Sequence, residues 1–155
     1  MIKTRPSWDM YFMEVSRLVA TRSTCLRRHV GAVLVRDERI IATGYNGAPQ
    51  GLPHCADVGC LREQQGIPSG QRYELCRGVH AEQNAIINAA LYGVSTKSST
   101  LYCTDQPCLL CARMIINAGV TRIVHEGNFQ DDMALQFLHQ AGIKIINIVE
   151  RSDNE

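Results

Sequence analysis

The sequence contains no long apolar run and no concentration of charge of one sign. No stretch approaches the roughly 18 to 20 consecutive apolar residues that a membrane-spanning helix requires. The N-terminus, Met1 to Pro6, lacks an apolar signal core, so we expect a soluble cytoplasmic protein. The net charge is only +1 (16 − 15), and the longest basic run is Arg27-Arg28. A nucleic-acid partner is therefore not expected, since phosphate tracking needs a concentrated basic face.

The chain has 155 residues, of which 45% are hydrophobic and 20% charged. This length suits one compact domain over residues 1–155 and is too short for two ordinary domains. Seven cysteines stand out in a chain of this size, at positions 25, 55, 60, 76, 103, 108 and 111. An odd count without a secretion signal fits metal binding or free thiols better than a disulfide framework.

Hydrophobic periodicity predicts an α/β protein. An amphipathic helix is expected over residues 8–21, followed by two antiparallel strands, Gly31 to Arg36 and Arg39 to Tyr45, joined at Asp37-Glu38. Residues 46–79 hold six glycines and three prolines without periodicity, which predicts a long irregular loop. Beyond it, helices at 80–91, 108–118 and 131–140 alternate with strands at 100–103, 122–124 and 143–149. This alternation predicts a largely parallel second half with helices on the sheet faces.

Two short motifs stand where two predicted helices begin: His80-Ala81-Glu82 and Pro107-Cys108-Leu109-Leu110-Cys111. Together they match the H-x-E and P-C-x-x-C signature of zinc deaminases. Cys108 and Cys111 are three residues apart and share one helical face, where the helix N-terminus favours thiolates. Two thiolates and a neutral His80 balance the charge of Zn²⁺ and leave a fourth position for water, as a catalytic zinc site requires.

Glu82 is predicted to carry protons rather than to bind the metal. It lies two residues beyond His80, a step of about 200° around a helix, so it does not share the helical face of that ligand. The competing interpretation is a structural zinc site, which would take four protein ligands and has no use for a neighbouring carboxylate. Cys103 lies in an apolar strand pattern and is expected in the core.

With these motifs the chain resembles the cytidine and deoxycytidylate deaminase superfamily, and the likeness to deoxycytidylate deaminases extends from about Trp8 to about Val149. Further residues that carry it are Val30-Gly31-Ala32-Val33, Gly44-Tyr45-Asn46-Gly47 and Cys103-Thr104 before Pro107. The resemblance implies a three-layer α/β/α sandwich whose mixed five-stranded sheet has its last two strands parallel. It also implies homo-oligomers, often hexamers, and hydrolysis of dCMP to dUMP and ammonia, which supplies dUMP for thymidylate synthesis.

The same resemblance implies roles for particular residues. Asn46 would hydrogen-bond the sugar or base, and the backbone at Ala81 would meet the base; the alternative for Asn46 is a turn residue beside glycine. The Gly44 to Gly47 run resembles part of the site at which dCTP activates and dTTP inhibits regulated members. Gln106 stands where the family usually has a small residue before the proline. The resemblance therefore does not predict the substrate contact at this position.

A nucleotide substrate also requires a group that holds its 5′-phosphate. Arg22, Ser23, Arg27 and Arg28 lie just before the first strand, from which arginines can reach a phosphate. Arg22 and Ser23 are the candidates we single out for this contact. Their competing interpretation is a solvated surface role.

A second cluster of potential metal ligands borders or lies in the irregular loop: Cys25, His54, Cys55, Cys60 and Cys76. A segment with so little apolar burial needs a staple, and a structural zinc bound by four of these five residues would provide one. Certain deoxycytidylate deaminases are similar in carrying a second zinc near this segment. Scattered reduced thiols are the alternative, and the spacing does not say which four would bind.

Three other functions share part of this pattern. A tRNA adenosine deaminase has both zinc motifs but must grip a large polyanion, which the net charge of +1 disfavours. A free-nucleoside cytidine deaminase usually begins its first motif with cysteine, where this chain has His80. A non-catalytic, zinc-stabilised or competence-associated module has no reason to retain Glu82. The preference between dCMP and dCTP stays open at the level of sequence.

Overall fold

The computed structural model describes residues 4–149, in which a five-stranded sheet is covered by helices on both faces. The elements in chain order are α1 (Trp8–Ala20), β1 (Gly31–Arg36), β2 (Arg39–Tyr45), α2 (Cys55–Val58), α3 (Leu61–Gln64), a 3₁₀ turn (Tyr73–Leu75), α4 (Ala81–Leu91), β3 (Thr100–Cys103), α5 (Leu109–Asn117), β4 (Arg122–His125), α6 (Asp132–Gln140) and β5 (Lys144–Asn147). Within the described residues no helix is both long and apolar enough to span a bilayer.

The first two strands form the predicted hairpin, with the predicted bounds. β1 and β2 pair antiparallel, and Arg36 faces Arg39 across a two-residue turn. Asp37 and Glu38 both have positive φ, 52° and 58°. Two successive positive φ values are typical of the turn that matches the twist of paired strands. The turn sets the register next to it, as far as the pair Val35 and Ile40, beyond which the register shifts between Leu34 and Val35.

The sheet order is β2-β1-β3-β4-β5. β3 pairs antiparallel with β1, whereas β4 and β5 continue parallel to β3, which confirms the predicted parallel second half. The predicted last strand was too long, because β5 ends at Asn147 and not at Val149. The Asn147 side chain accepts a hydrogen bond from the backbone N–H of Val149 at 3.1 Å, a local contact that turns the chain out of the strand.

Helices cover the sheet unequally, and the three-layer sandwich is confirmed. α1 covers one face, where Phe12 and Met13 pack against Val33, Tyr102 and Val124. α4, α5 and α6 cover the other face through a second core cluster of small and branched residues, which includes Ala85, Ala112, Ile115 and Leu138. Cys103 belongs to this second cluster and is fully buried.

Residues 46–79 are more ordered than the irregular loop that we predicted. The segment contains α2, α3 and the 3₁₀ turn, each a single turn and too short for helical periodicity to reveal. An isolated bridge between Gly47 and Val79 ties its two ends together. Inside it, Arg62 is only 6% exposed, donates to the Gln71 carbonyl at 2.7 Å and lies over the Tyr73 ring. The segment therefore has a small polar core of its own.

Candidate active site

His80, Cys108 and Cys111 converge at the N-termini of two neighbouring helices. His80 directly precedes α4, Cys108 directly precedes α5, and Cys111 lies in the first turn of α5. His80 Nδ1 is 3.5 Å from Cys108 Sγ and 3.3 Å from Cys111 Sγ. Tetrahedral zinc with ordinary bond lengths places its nitrogen and sulfur ligands about 3.5 Å apart. The three side chains therefore have the spacing of a zinc site.

This set is distinctive within the molecule. Among residues 4–149 it is the only group of three or more potential ligands whose ligand atoms all lie within 4.8 Å of one another. Three protein ligands are the number that a catalytic zinc site uses, since the fourth position is needed for water or substrate.

The two sulfurs lie within 4.8 Å of each other, and each shifts the pKa of the other. The Cys111 thiol lowers the pKa of Cys108 to about 4, against the opposing effect of burial, and the contact with His80 lowers it further. The contact with Cys108, together with burial, raises the pKa of Cys111. The lowered pKa of Cys108 favours its thiolate, which is the form in which cysteine binds metal.

His80 is held from two sides. Its backbone N–H donates to the Gln83 side chain at 2.9 Å, and the Tyr73 ring meets the imidazole edge-on with 4.8 Å between ring centres. Burial lowers the pKa of His80, but the hydrogen bond with Cys108 and the charge of Glu82 outweigh it, so that the pKa is raised overall. These contacts fix the ring where it faces both sulfurs.

Glu82 lies in the first turn of α4 and is only 4% exposed. Burial raises the pKa of Glu82, while the charge of His80 opposes this shift. The residue lines the same cavity as His80 and Cys108. A carboxylate with a raised pKa beside a metal site has the chemistry of a group that accepts and returns protons.

Only some of the residues singled out in the sequence line the cavity beside the metal ligands. Asn46 and Ala81 line it, as do Arg27 and Arg28. Arg22 is exposed beyond the end of α1. Ser23 is buried, and its hydroxyl accepts from the backbone N–H of Cys25 at 3.3 Å. A phosphate contact by Arg22 or Ser23 stays a prediction, but the two following arginines are the ones that reach the cavity.

The Gly-Tyr-Asn-Gly run serves mainly to join β2 to its neighbours. Gly44 lies directly under α4, and the Tyr45 carbonyl accepts from the Asn84 side chain at 2.8 Å. Asn46 uses its carbonyl oxygen to accept from Val30 N–H at 2.8 Å and donates an amide N–H to the Arg28 carbonyl at 2.9 Å. One amide hydrogen of Asn46 stays available for a ligand. Its substrate contact and the effector role of the run stay predictions.

Several lining residues were missed by the sequence analysis: Arg62, Tyr73, Asp105 and Phe129. Burial raises the pKa of Asp105, and the charge of Arg28 opposes that shift across 3.4 Å. Arg28 also lies 5.1 Å from the centre of the Phe129 ring. No local sequence signal marks these residues, because distant segments bring them together.

Gln106, the residue that departs from the family pattern, is only 4% exposed. Its side-chain N–H donates to the backbone carbonyl of Asp131 at 3.1 Å. The amide therefore ties the strand-to-helix segment before Cys108 to the start of α6.

The second cysteine cluster gathers beside the same cavity. Cys25, Cys55 and Cys76 all line it, and Cys60 is buried. Burial raises the pKa of Cys55, and the charges of the other three cysteines raise it further. These four sulfurs do not form a group as close as that of the catalytic set. His54 is exposed, and its Nδ1 instead meets the Thr24 hydroxyl at 3.1 Å.

The His-Cys-Cys ligand set with a buried glutamate, on a three-layer α/β/α sandwich, has the ligand types and the carboxylate of the zinc-deaminase signature. Residues 6–126 match the family model described as the cytidine and deoxycytidylate deaminase zinc-binding region. The chain belongs to this family, and His80, Cys108 and Cys111 fit its zinc.

Individual relatives agree with this assignment. The chain is 41% identical over 142 residues to the deoxycytidylate deaminase of Schizosaccharomyces pombe, with 91% of this chain and 44% of that protein covered. It is 41% identical over 142 residues to ComE operon protein 2 of Bacillus subtilis, with 91% and 71% covered. The chain thus spans less than half the length of the first curated relatives it matches.

A solved structure extends the likeness to the whole fold. The dCMP deaminase of cyanophage S-TIM5, crystallised in complex with dCMP and dUMP, superposes with a TM-score of 0.78 at 28% identity. The match covers 94% of this chain and 100% of that chain. The predicted homo-hexamer and the predicted dCTP and dTTP effectors stay predictions.

Proposed function

We propose that this protein hydrolyses dCMP to dUMP and ammonia. The observation that carries the proposal is a shared cavity. His80, Cys108 and Glu82 line it, and so do Arg27 and Arg28. The metal ligands, the proton carrier and two positively charged arginines thus line the same cavity. This combination suits a small molecule that carries a phosphate. The deoxycytidylate deaminase relative and the cyanophage enzyme bound to dCMP and dUMP support this choice of substrate.

In the proposed reaction Glu82 performs two proton transfers. A zinc ion held by His80, Cys108 and Cys111 supplies, when bound, a water of lowered pKa. Glu82 accepts a proton from the attacking water and passes it to ring nitrogen N3 as the oxygen bonds to C4. It then moves the second proton from that oxygen to the amino group, the C4–N bond breaks, and ammonia leaves with C4 as a carbonyl.

We assign the binding of the substrate's 5′-phosphate to Arg27. One guanidinium nitrogen of Arg27, Nη2, donates to the Ile67 carbonyl at 2.7 Å, whereas Nη1 is buried and has no hydrogen-bond partner among residues 4–149. A buried donor without a partner is unfavourable, and a phosphate oxygen would satisfy it. R27M should therefore raise KM for dCMP about 10- to 100-fold, which is the effect of one charged hydrogen bond. The same variant should leave the KM for deoxycytidine unchanged, and an equal rise for both substrates would contradict the assignment.

Ammonia release separates this proposal from its rivals. Wild-type protein is assayed with dCMP, dCTP, deoxycytidine and a tRNA anticodon stem, and dCMP should be the preferred substrate. E82Q should retain one catalytic zinc and lose turnover by at least about 100-fold, because the amide cannot carry the proton. Activity retained in E82Q, or a preference for the tRNA stem, would reject the proposal.

We further propose that a second, structural zinc is bound by Cys25, Cys55, Cys60 and Cys76. Cys25 and Cys76 each accept a hydrogen bond from the backbone N–H two residues further on, at 3.5 Å from Arg27 and 3.4 Å from Gly78. Backbone N–H donors of this kind stabilise thiolates. His54, being exposed and in contact with Thr24, is not included. The sulfurs lie farther apart than those of the catalytic set, and metal binding would draw the single-turn helices together.

Metal analysis of purified protein tests this ligand set. Wild type and H54A should hold two zinc ions per chain, whereas C60S should hold one. H54A is the matched control, since it removes a potential ligand from the same segment. One zinc per chain in the wild type would reject the second site, and loss of a zinc in H54A would reject the assignment of the ligands.

A further inference from the structure

The helix that carries two of the metal ligands lacks an N-terminal cap of its own. Cys108 occupies the cap position of α5, but its side chain makes no capping hydrogen bond, because the thiol faces His80 instead. A helix begins with backbone N–H groups that need partners. For α5 one partner comes from a residue distant in the sequence: Asp131 Oδ2 accepts from the Leu109 N–H at 3.0 Å.

Asp131 makes this contact while it caps a second helix. Its Oδ1 accepts from the Ala134 N–H at 3.0 Å, which is the usual capping bond at the start of α6. Its own backbone carbonyl accepts from Gln106, two residues before Cys108. One residue therefore joins the starts of α5 and α6 and the segment that leads into the metal-binding turn.

Asp131 lies next to the metal-binding turn, because Leu109, the residue it contacts, directly follows Cys108. Its charge acts on Tyr73, the ring of which packs edge-on against His80. Two residues before Asp131, Phe129 forms part of the wall of the active-site cavity. A carboxylate near helix N-termini is favourable, and its hydrogen bonds to backbone N–H groups are charge-assisted.

From this arrangement we propose that Asp131 is a positioning residue for the catalytic metal site. It fixes the first turn of α5 and so holds Cys108 and Cys111 at their observed distance from His80. The inference rests on the zinc site and does not require that dCMP is the substrate. Partners that orient metal ligands typically change metal affinity about 10- to 100-fold when they are removed.

The test measures zinc affinity in the absence of substrate, by competition with a chromophoric chelator, on D131A and D131N. We expect the dissociation constant of the catalytic zinc to rise about 10- to 100-fold in D131A. D131N, which keeps one acceptor oxygen, should show a smaller rise. Co²⁺ substituted for zinc should give an altered absorption spectrum in D131A, because the two thiolates are no longer held at the same angle.

Two matched controls separate positioning from general stability. S7A removes the same kind of cap from α1, where Ser7 accepts from Met10 N–H at 3.2 Å. D132A removes the neighbouring acidic residue from the first turn of α6. Neither control variant should alter the zinc affinity or the Co²⁺ spectrum, even where it lowers the melting temperature.

The outcomes decide the proposal in either direction. If D131A folds and binds zinc as tightly as S7A and D132A do, Asp131 is only a helix cap and the proposal is overturned. If D131A does not fold, D131N decides by the same comparison. A substrate other than dCMP would reject the proposed function while leaving the affinity result intact.

Discussion

Replacement of Gly44 by alanine should damage the active site through the backbone. A Cβ at this position in β2 would lie 2.3 Å from the Ala85 nitrogen and 2.4 Å from the Ala81 carbonyl oxygen. Ordinary contact begins at about 3.4 Å, so α4 must retreat by about 1 Å (3.4 − 2.4). No side chain can rotate to relieve the clash, since both atoms belong to the α4 backbone.

The displacement would act on the groups at the start of α4. His80 directly precedes this helix and Glu82 lies in its first turn. Catalytic groups must be held within about 0.5 Å, and a displacement of about 1 Å can reduce the rate about 100-fold. We therefore expect G44A to lower kcat/KM for dCMP about 100-fold. Overpacking of this kind costs about 1–3 kcal/mol, or about 2–4 °C of melting temperature per kcal/mol in a chain of this size.

G31A provides the matched comparison. Its Cβ would lie 2.0 Å from the Ser16 carbonyl oxygen, so it presses on α1, which carries no metal ligand and covers the opposite face. Thermal unfolding should show both variants destabilised, whereas kcat/KM, measured below both melting temperatures, should fall only in G44A. Wild-type stability in G44A, or an equal loss of activity in G31A, would refute the reasoning.

Three further predictions concern stability. Burial and the hydrogen bond to Asp9 raise the pKa of Tyr102 to about 12, so wild-type stability should fall by about 2 to 3 kcal/mol as pH rises from about 10 to 12. In Y102F, urea unfolding should show this fall reduced; an unchanged pH profile would contradict it. R122A, which loses a two-pronged contact with Asp9 at 2.9 and 2.6 Å, should unfold about 1–2 kcal/mol more easily. Chelation should lower the free energy of unfolding by about 2.7 kcal/mol relative to zinc at 100 times its Kd, and so lower the melting temperature. Added zinc should restore turnover, and an unchanged melting temperature would argue against bound metal.

Local patterns were sufficient for the first hairpin and for the candidate metal ligands, whereas the mixed five-stranded sheet was expected from the family resemblance. The β1–β2 hairpin followed from two β-branched runs around Asp37-Glu38, because turn geometry and alternation are properties of neighbouring residues. Each metal motif lies within one helix start, so its spacing along the chain already indicates its spacing in space. Only the meeting of His80 with Cys108 and Cys111 depends on tertiary structure, and the paired motifs predicted it.

Contacts between distant segments were beyond the reach of such patterns. In the sequence, Asp131 has the features of an ordinary cap for α6. No neighbouring residue indicates its hydrogen bond to Leu109 in another helix. The sequence would place Arg62 at the surface, because arginines are rarely buried unless they are paired. It is buried because Tyr73 and the Gln71 carbonyl receive its guanidinium, and both come from a segment without periodicity.

The segment over residues 46–79 forms part of the wall of the cavity beside the metal site. The Gly47–Val79 bridge closes the segment at its base, and from it Cys55, Arg62, Tyr73 and Cys76 reach the cavity wall. Tyr73 packs against the core, but the buried residues of this segment are only Cys55, Cys60 and Arg62. Hydrogen bonds, the Arg62–Tyr73 contact and, as we propose, a second zinc therefore contribute to its order. The same segment therefore bears on both proposals: its cysteines are among the ligands proposed for the second zinc, and Cys55, Arg62, Tyr73 and Cys76 line the cavity proposed to take dCMP.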